Sequence, residues 1–282
     1  MGHCLRRRCA AILLSMIAGT AAGQEPASVG VQDRKPVPIM AYSPGGGCRG
    51  IAIISPGAGG SETGYAYLGR TLSALGFLAV VVGHQESGRR ALREHVRGNS
   101  LREGLAKLIT DPEAYRSRFA EIAAARRWAQ PRCNASESVL IGHSMGAATT
   151  MIEAGARNLL GVSGADAFNV YIALSPQGAG SIFPPDAWSG IAKPVLSLTG
   201  TRDGELGGGP WETRTEPYGN MPAGCKWLGV IDGAAHLNFA GNGLSGKVEA
   251  LTSQAIGAFL EGVHRGDCRV PGSTPGMALQ GK

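Results

Sequence analysis

Short apolar runs recur along the chain, each closed by glycine, proline or a polar turn. They are Ile51-Ala52-Ile53-Ile54, Leu78 to Val82, Val139 to Gly142, Val170 to Leu174, Pro194 to Thr199 and Trp227 to Ile231. Runs with no polar alternation read as strands buried on both faces. Between them the apolar spacing lengthens to that of a helix. Thr63 to Leu75 places Tyr67, Leu68, Leu72 and Leu75 on one face and stops at Gly76. Arg118 to Ala129 and the closing stretch Leu244 to Val263 follow the same period. Strands alternating with helices predict an α/β fold, a mostly parallel doubly wound sheet flanked by helices. Ligands bind such a sheet beyond the carboxyl ends of its strands.

Three stretches depart from this rhythm. Residues 24–47 read as one or two edge strands with turns at Pro36, Pro38 and Gly45 to Gly47. Residues 84–118 are polar and basic with broken helical periodicity, an excursion over the strand tops that serves as a lid or a fixed wall. Residues 269–282 carry proline, glycine and little apolar patterning, and read as a disordered tail. The folded unit expected is a single domain over 24–268.

The first residues belong to none of these elements. Arg6, Arg7 and Arg8 precede an apolar run from Ala10 to Ala18 that is too short to span a bilayer. Ala21-Ala22-Gly23 has the small residues of a cleavage site, so residues 1–23 read as a signal peptide and the mature chain as secreted or periplasmic. No later segment reads as a membrane span.

Charge changes the picture little. The formal charge of +6 includes the three leader arginines, which leaves the mature chain at about +3. That is too mild and too dispersed for a nucleic-acid partner. Of the six cysteines, Cys48, Cys133, Cys225 and Cys268 remain after the leader, and an even number in an exported chain predicts two disulfides. No C-x-x-C is present, and no metal is expected.

The chemistry lies where strands end. Gly142-His143-Ser144-Met145-Gly146 joins an apolar strand to the helical pattern of Ala147, Ala148, Met151 and Ile152. A G-x-S-x-G at a strand-to-helix turn lifts a serine hydroxyl above the sheet, with glycines where neighbouring backbones pass closely. Ser144 is the candidate nucleophile. Its base is expected from Gly233-Ala234-Ala235-His236-Leu237-Asn238-Phe239, where His236 follows the last core strand. His143 points away from its neighbour on such a turn and reads as structural or cleft-lining, and His84, at the end of its own strand, as a substrate-side residue. The acid that fixes the tautomer of the base is Asp203 of Gly200-Thr201-Arg202-Asp203, with Asp232 as the competing choice. Backbone N–H groups are the natural donors to a developing oxyanion. Met145 follows the nucleophile, and Ala58 lies in Ser55-Pro56-Gly57-Ala58-Gly59-Gly60, just after a strand, with Gly59 close behind it.

GHSMG, SPGAGG, GTRD and GAAHLNF, in this order, resemble the α/β-hydrolase superfamily. Within it the chain looks most like the dienelactone-hydrolase group, near the platelet-activating-factor acetylhydrolases and the cutinase-like polyesterases. The resemblance covers roughly residues 28–263. Dienelactone hydrolase itself uses a cysteine nucleophile where this chain has Ser144, so its lactone substrate does not carry over. Cutinase-type polyesterases place an aromatic residue in the first oxyanion loop, where Ala58 stands here. The loop from Arg202 to Tyr218 is longer than in simple esterases, and its Trp211, Arg214 and Tyr218 are expected to shape the acyl or alcohol pocket. In this fold the strands that begin near Ile51 and Val139 are neighbours, and the last helix returns to the face opposite the active site. The resemblance therefore implies the pairs Cys48–Cys133 and Cys225–Cys268.

The expected protein is a serine hydrolase that cleaves small or lipid-like carboxylic esters through an acyl-enzyme, with no cofactor. A lipase, amidase or acyltransferase on the same site is the nearest alternative. A binding protein on a hydrolase scaffold is the alternative of another class.

Overall fold

A computed structural model describes residues 23–205, 208–242, 245–272 and 274–282. The expected signal peptide falls on residues outside this set, apart from Gly23. The described residues form one nine-stranded sheet. In chain order the strands are β1 (Gln24–Val29), β2 (Val37–Tyr42), β3 (Gly50–Ser55), β4 (Phe77–Val82), β5 (Glu137–His143), β6 (Val170–Leu174), β7 (Val195–Arg202), β8 (Lys226–Ala235) and β9 (Met277–Gly281). In space they run β1-β2-β4-β3-β5-β6-β7-β8-β9. The six from β4 to β8 are mutually parallel, whereas β1, β2 and β9 pair antiparallel at the two margins.

The apolar runs are continuous because the sheet is covered on both sides. In β4, Phe77, Ala79 and Val81 face one core, and Leu78, Val80 and Val82 face the other. The first core is closed by α1 (Ala66–Ala74) and α7 (Gly246–Arg265), through Leu68, Leu72, Ile256 and Phe259. The second is closed by α4 (Pro112–Ala129) and α5 (Met145–Glu153), through Tyr115, Ile122, Ala147 and Met151. This is the doubly wound arrangement expected of the alternating pattern.

The excursion over 84–118 contains two short helices, α2 (Arg89–Val96) and α3 (Leu101–Ile109), and the first turns of α4. Gly98, Asn99 and Ser100 interrupt what would otherwise be one amphipathic stripe. Ser100 opens α3 with a reciprocal capping box to Glu103. That S-x-x-E was available in the sequence as a helix start. α6 (Glu216–Asn220) is a single turn within the loop after β7.

The tail corrects the sequence reading. Residues 277–281 are not disordered but form β9, paired with β8 from Met277↔Ile231 to Gly281↔Trp227. Met277 is buried, and its partner strand supplies the backbone hydrogen bonds that tail composition alone does not predict. The folded unit thus extends beyond residue 268.

Both expected disulfides are present, with Cα atoms 5.6 Å apart for Cys48–Cys133 and 5.3 Å apart for Cys225–Cys268. Closing loops of 85 and 43 residues restricts the unfolded chain by on the order of 4 kcal/mol each in the loop-entropy account. They fit an oxidising compartment. No helix among the described residues is long and apolar enough to cross a membrane.

Candidate active site

Ser144 joins β5 to α5 at φ 55°, ψ −119°, a conformation that side chains other than glycine rarely adopt. The flanking glycines are required by contact. A Cβ at Gly142 would overlap the Gly146 carbonyl, and a Cβ at Gly146 would overlap the Ser55 carbonyl at the end of β3. The elbow is therefore pressed against the loop that follows β3. A Cβ at Gly57 in that loop would lie 3.2 Å from the Ser144 Cβ. Among the described residues neither Ala58 N–H nor Met145 N–H has a protein acceptor, and Met145 opens a helix, where such N–H groups are left over by geometry.

His236 begins a 3₁₀ turn over His236–Ala240, directly after β8. Asn238 Oδ1 accepts from Ala235 N–H at 2.8 Å and fixes that turn. His236 Nδ1 lies 2.8 Å from Asp203 Oδ1. Asp203 is fully buried at the end of β7. Its Oδ2 accepts from Ser175 Oγ at 2.6 Å and from Thr199 Oγ1 at 2.9 Å, and Arg214 Nε stands 3.0 Å from Oδ1. An ionised carboxylate only accepts, so Nδ1 of His236 carries the proton and Nε2 is the basic nitrogen. Asp232, by contrast, is exposed and 3.4 Å from Thr201 Oγ1. The structure brings Asp203 to the histidine and leaves Asp232 on the surface.

Arg214 was expected only to shape a pocket, yet its main contacts are with the backbone. It donates to the carbonyls of Asp203, Ser175, Pro176 and Gly204, and so ties the acid loop to the loop after β6. Ser175 itself has φ 53°. Neither Ser175 nor Thr199 could be singled out from the sequence, because their role depends on where two separate strands end.

Beneath the loop after β3 lies a second buried cluster. Arg118 on α4 donates to the Pro56 carbonyl at 2.8 Å, to Ser87 Oγ at 2.8 Å and to Ser55 Oγ at 3.2 Å. His84 bridges Ser55 Oγ at 2.8 Å and Glu121 Oε2 at 2.6 Å. Burial, helped by the Arg118 charge, pulls the His84 pKa down to about 4, against the pull of Glu121. The ring is neutral at pH 7, and its contact with Glu121 is a hydrogen bond from Nδ1–H.

A cavity of about 740 Å³ opens over Ser144 and His236. The loop from Gly57 to Gly60 forms one side, and Leu92, Leu105 and Ile109 of the α2–α3 hairpin form an apolar wall. Arg89, Arg102 and Glu205 add charge to the lining. His143 and Arg214 line it as well. The other residues expected to meet substrate, His84, Trp211 and Tyr218, do not line this cavity. His84 is buried in the cluster below, Trp211 opens the 3₁₀ turn that carries Arg214 without itself joining the lining, and Tyr218 packs under Lys282 Nζ at 4.8 Å. Strand-end position alone did not distinguish a side chain pointing into the cleft from one pointing beneath it.

No family model matches the chain, and neither does any curated protein. Solved structures do. A protein of Klebsiella pneumoniae assigned as a dienelactone hydrolase superposes with a TM-score of 0.59 at 17% identity, over 83% of this chain and 95% of that one. Dienelactone hydrolase from Anabaena variabilis gives 0.56 at 17% identity, over 83% and 96%. At this identity the likeness establishes the architecture: the chain has the α/β-hydrolase fold.

Proposed function

We propose that this chain is a secreted or periplasmic serine hydrolase that cleaves carboxylic esters through an acyl-enzyme on Ser144. The observation that carries the reading is the hydrogen bond from His236 to buried Asp203, with His236 and Ser144 on one cavity. His236 Nε2 takes the Ser144 proton as Oγ attacks the ester carbonyl. The N–H groups of Met145 and Ala58 receive the charge that develops on the carbonyl oxygen. Collapse expels the alcohol, protonated by His236, and leaves the acyl group on Ser144. Water then enters, gives its proton to His236 and releases the acid. Each step balances with the residues present and needs no cofactor.

The two disulfides and the apolar run at 10–18 support export with the leader 1–23 removed. The apolar α2–α3 wall favours acyl chains over small polar acyl groups.

Hydrolysis of p-nitrophenyl esters from acetate to palmitate, by the protein and by Ser144→Ala, tests the reading. Turnover is expected in the wild type and a loss of at least a thousandfold in the variant. A rate maximum at long chains would make the enzyme a lipase. Absence of turnover together with no labelling of Ser144 by a fluorophosphonate would sink the hydrolase reading.

A further inference from the structure

His143 stands beside the nucleophile, yet both of its ring nitrogens are engaged elsewhere. Nε2 lies 3.0 Å from the main-chain carbonyl of His236. Nδ1 lies 2.8 Å from Tyr65 Oη. Tyr65 Oη in turn is 3.0 Å from Gly57 N.

The direction of each bond follows from the groups involved. A carbonyl can only accept, so His143 Nε2 carries a proton. Burial, reinforced by the neighbouring His236, holds the His143 pKa well below its usual range, so the ring is neutral. A neutral ring protonated on Nε2 accepts at Nδ1. Tyr65 must therefore donate its only proton to His143, and its lone pair receives Gly57 N–H. The three bonds form a one-way chain: Gly57 N–H to Tyr65 O–H to His143 ring to His236 C=O.

The two ends of this chain of bonds belong to two separate parts of the proposed chemistry. Gly57 precedes the oxyanion donor Ala58, and His236 carries the base. The stack is compact, with ring centroids 5.7 Å apart for Tyr65 and His143, and 4.8 Å for His143 and His236. Tyr65 is held at φ 59°, a backbone conformation that a tyrosine takes only under constraint. Tyr65 and His143 are both buried.

We propose that Tyr65 and His143 are positioning residues that lock the oxyanion loop to the loop of the base. The proposal rests on the ester-hydrolase reading. The donors must meet the oxygen at its transition-state position, and a shift of about 1 Å costs roughly a hundredfold in rate. Ground-state substrate makes little use of that alignment, so the loss belongs in kcat rather than in KM.

Tyr65→Phe keeps the ring and removes only the hydroxyl. It is expected to lower kcat on p-nitrophenyl acetate about 10- to 100-fold, with KM within twofold, and to slow fluorophosphonate labelling of Ser144 by a similar factor. His143→Phe cuts the same chain, so the double variant should be little worse than the weaker single variant. A kcat within twofold of wild type in Tyr65→Phe, losses that multiply in the double variant, or a loss carried by KM would each overturn the proposal. The wild-type protein supplies a readout that no variant can confuse. Nitrogen-15 NMR of its histidines should show His143 as the neutral Nε2–H tautomer from pH 5 to 8. An Nδ1–H tautomer or an imidazolium there refutes the chain of bonds. If the wild type neither hydrolyses esters nor labels, the hydrolase reading fails and this proposal with it. If it does both, the variants judge the bridge alone.

Discussion

Asp203 and Asp232 are both acids at strand ends upstream of His236, Asp203 being the first choice along the chain and Asp232 the competing one, and their surroundings differ. Asp203 is buried and accepts from His236, Ser175 and Thr199, whereas Asp232 is exposed. Asp203→Asn is therefore expected to lower kcat by roughly a thousandfold to ten-thousandfold through loss of the correct tautomer. Asp232→Asn should stay within twofold, and steady-state kinetics on one ester decides between them. The buried His84 makes a second prediction at this scale. Its pKa is near 6.5 when unfolded and about 4 when folded. Between those values the unfolded chain binds more protons, so folding stability is full above pH 6.5 and falls as the pH drops towards 4. The loss is about 3 kcal/mol, and His143, also held neutral by burial, adds to it in the same direction. Urea unfolding at pH 7, 5.5 and 4.5 measures it, and His84→Gln should flatten the slope. An unchanged slope in that variant would show that the acid sensitivity arises elsewhere. Ser144 and His236 were legible because an elbow imposes glycine spacing and chain order. Tyr65 was not, since its partner His143 lies 78 residues away and nothing in a lone tyrosine near a glycine turn announces the pairing.

At the scale of elements, the central strands were legible because burial on both faces forbids polar interruptions. The elements that escaped the reading obey a different constraint. α2 and α3 each keep a narrow apolar stripe towards the cavity and are broken at Gly98, so no single window shows a helical period. β9 has a burial pattern with only Met277 fully covered. Its strand character comes from β8, which would otherwise present an open row of N–H and C=O groups. Removing residues 277–282 is thus expected to lower the melting temperature by several degrees and to promote association through the exposed β8 edge. Thermal melts with light scattering at two concentrations check both effects. Because β9 is remote from Ser144 along the sheet order, KM at low temperature should be unchanged. A truncated protein that melts and scatters like the full chain would mean that the strand contributes nothing to the edge.

For the whole molecule, the modest net charge conceals an uneven distribution. Residues 89–110 hold six arginines and lysines against two glutamates, a net +4, although the chain from residue 24 onward totals only about +3. The remainder of that chain is therefore slightly acidic, and the positive segment is the α2–α3 hairpin beside the cavity, where Arg89 and Arg102 reach the lining. A cleft with low-dielectric walls concentrates such a field and raises the encounter rate of anions, an effect that salt screens over a Debye length of about 10 Å at 0.1 M. This predicts different salt dependence for two matched substrates. With 4-acetoxybenzoate, whose carboxylate is drawn by the hairpin, kcat/KM should fall severalfold between 20 and 500 mM sodium chloride. With neutral phenyl acetate it should stay nearly constant. Arg90 and Arg93 lie on α2 outside the cavity lining, so Arg90→Glu with Arg93→Glu should remove most of the difference without altering kcat for the neutral ester. Equal salt responses for the two esters would mean that the hairpin is a solvated basic face with no part in bringing substrate to Ser144.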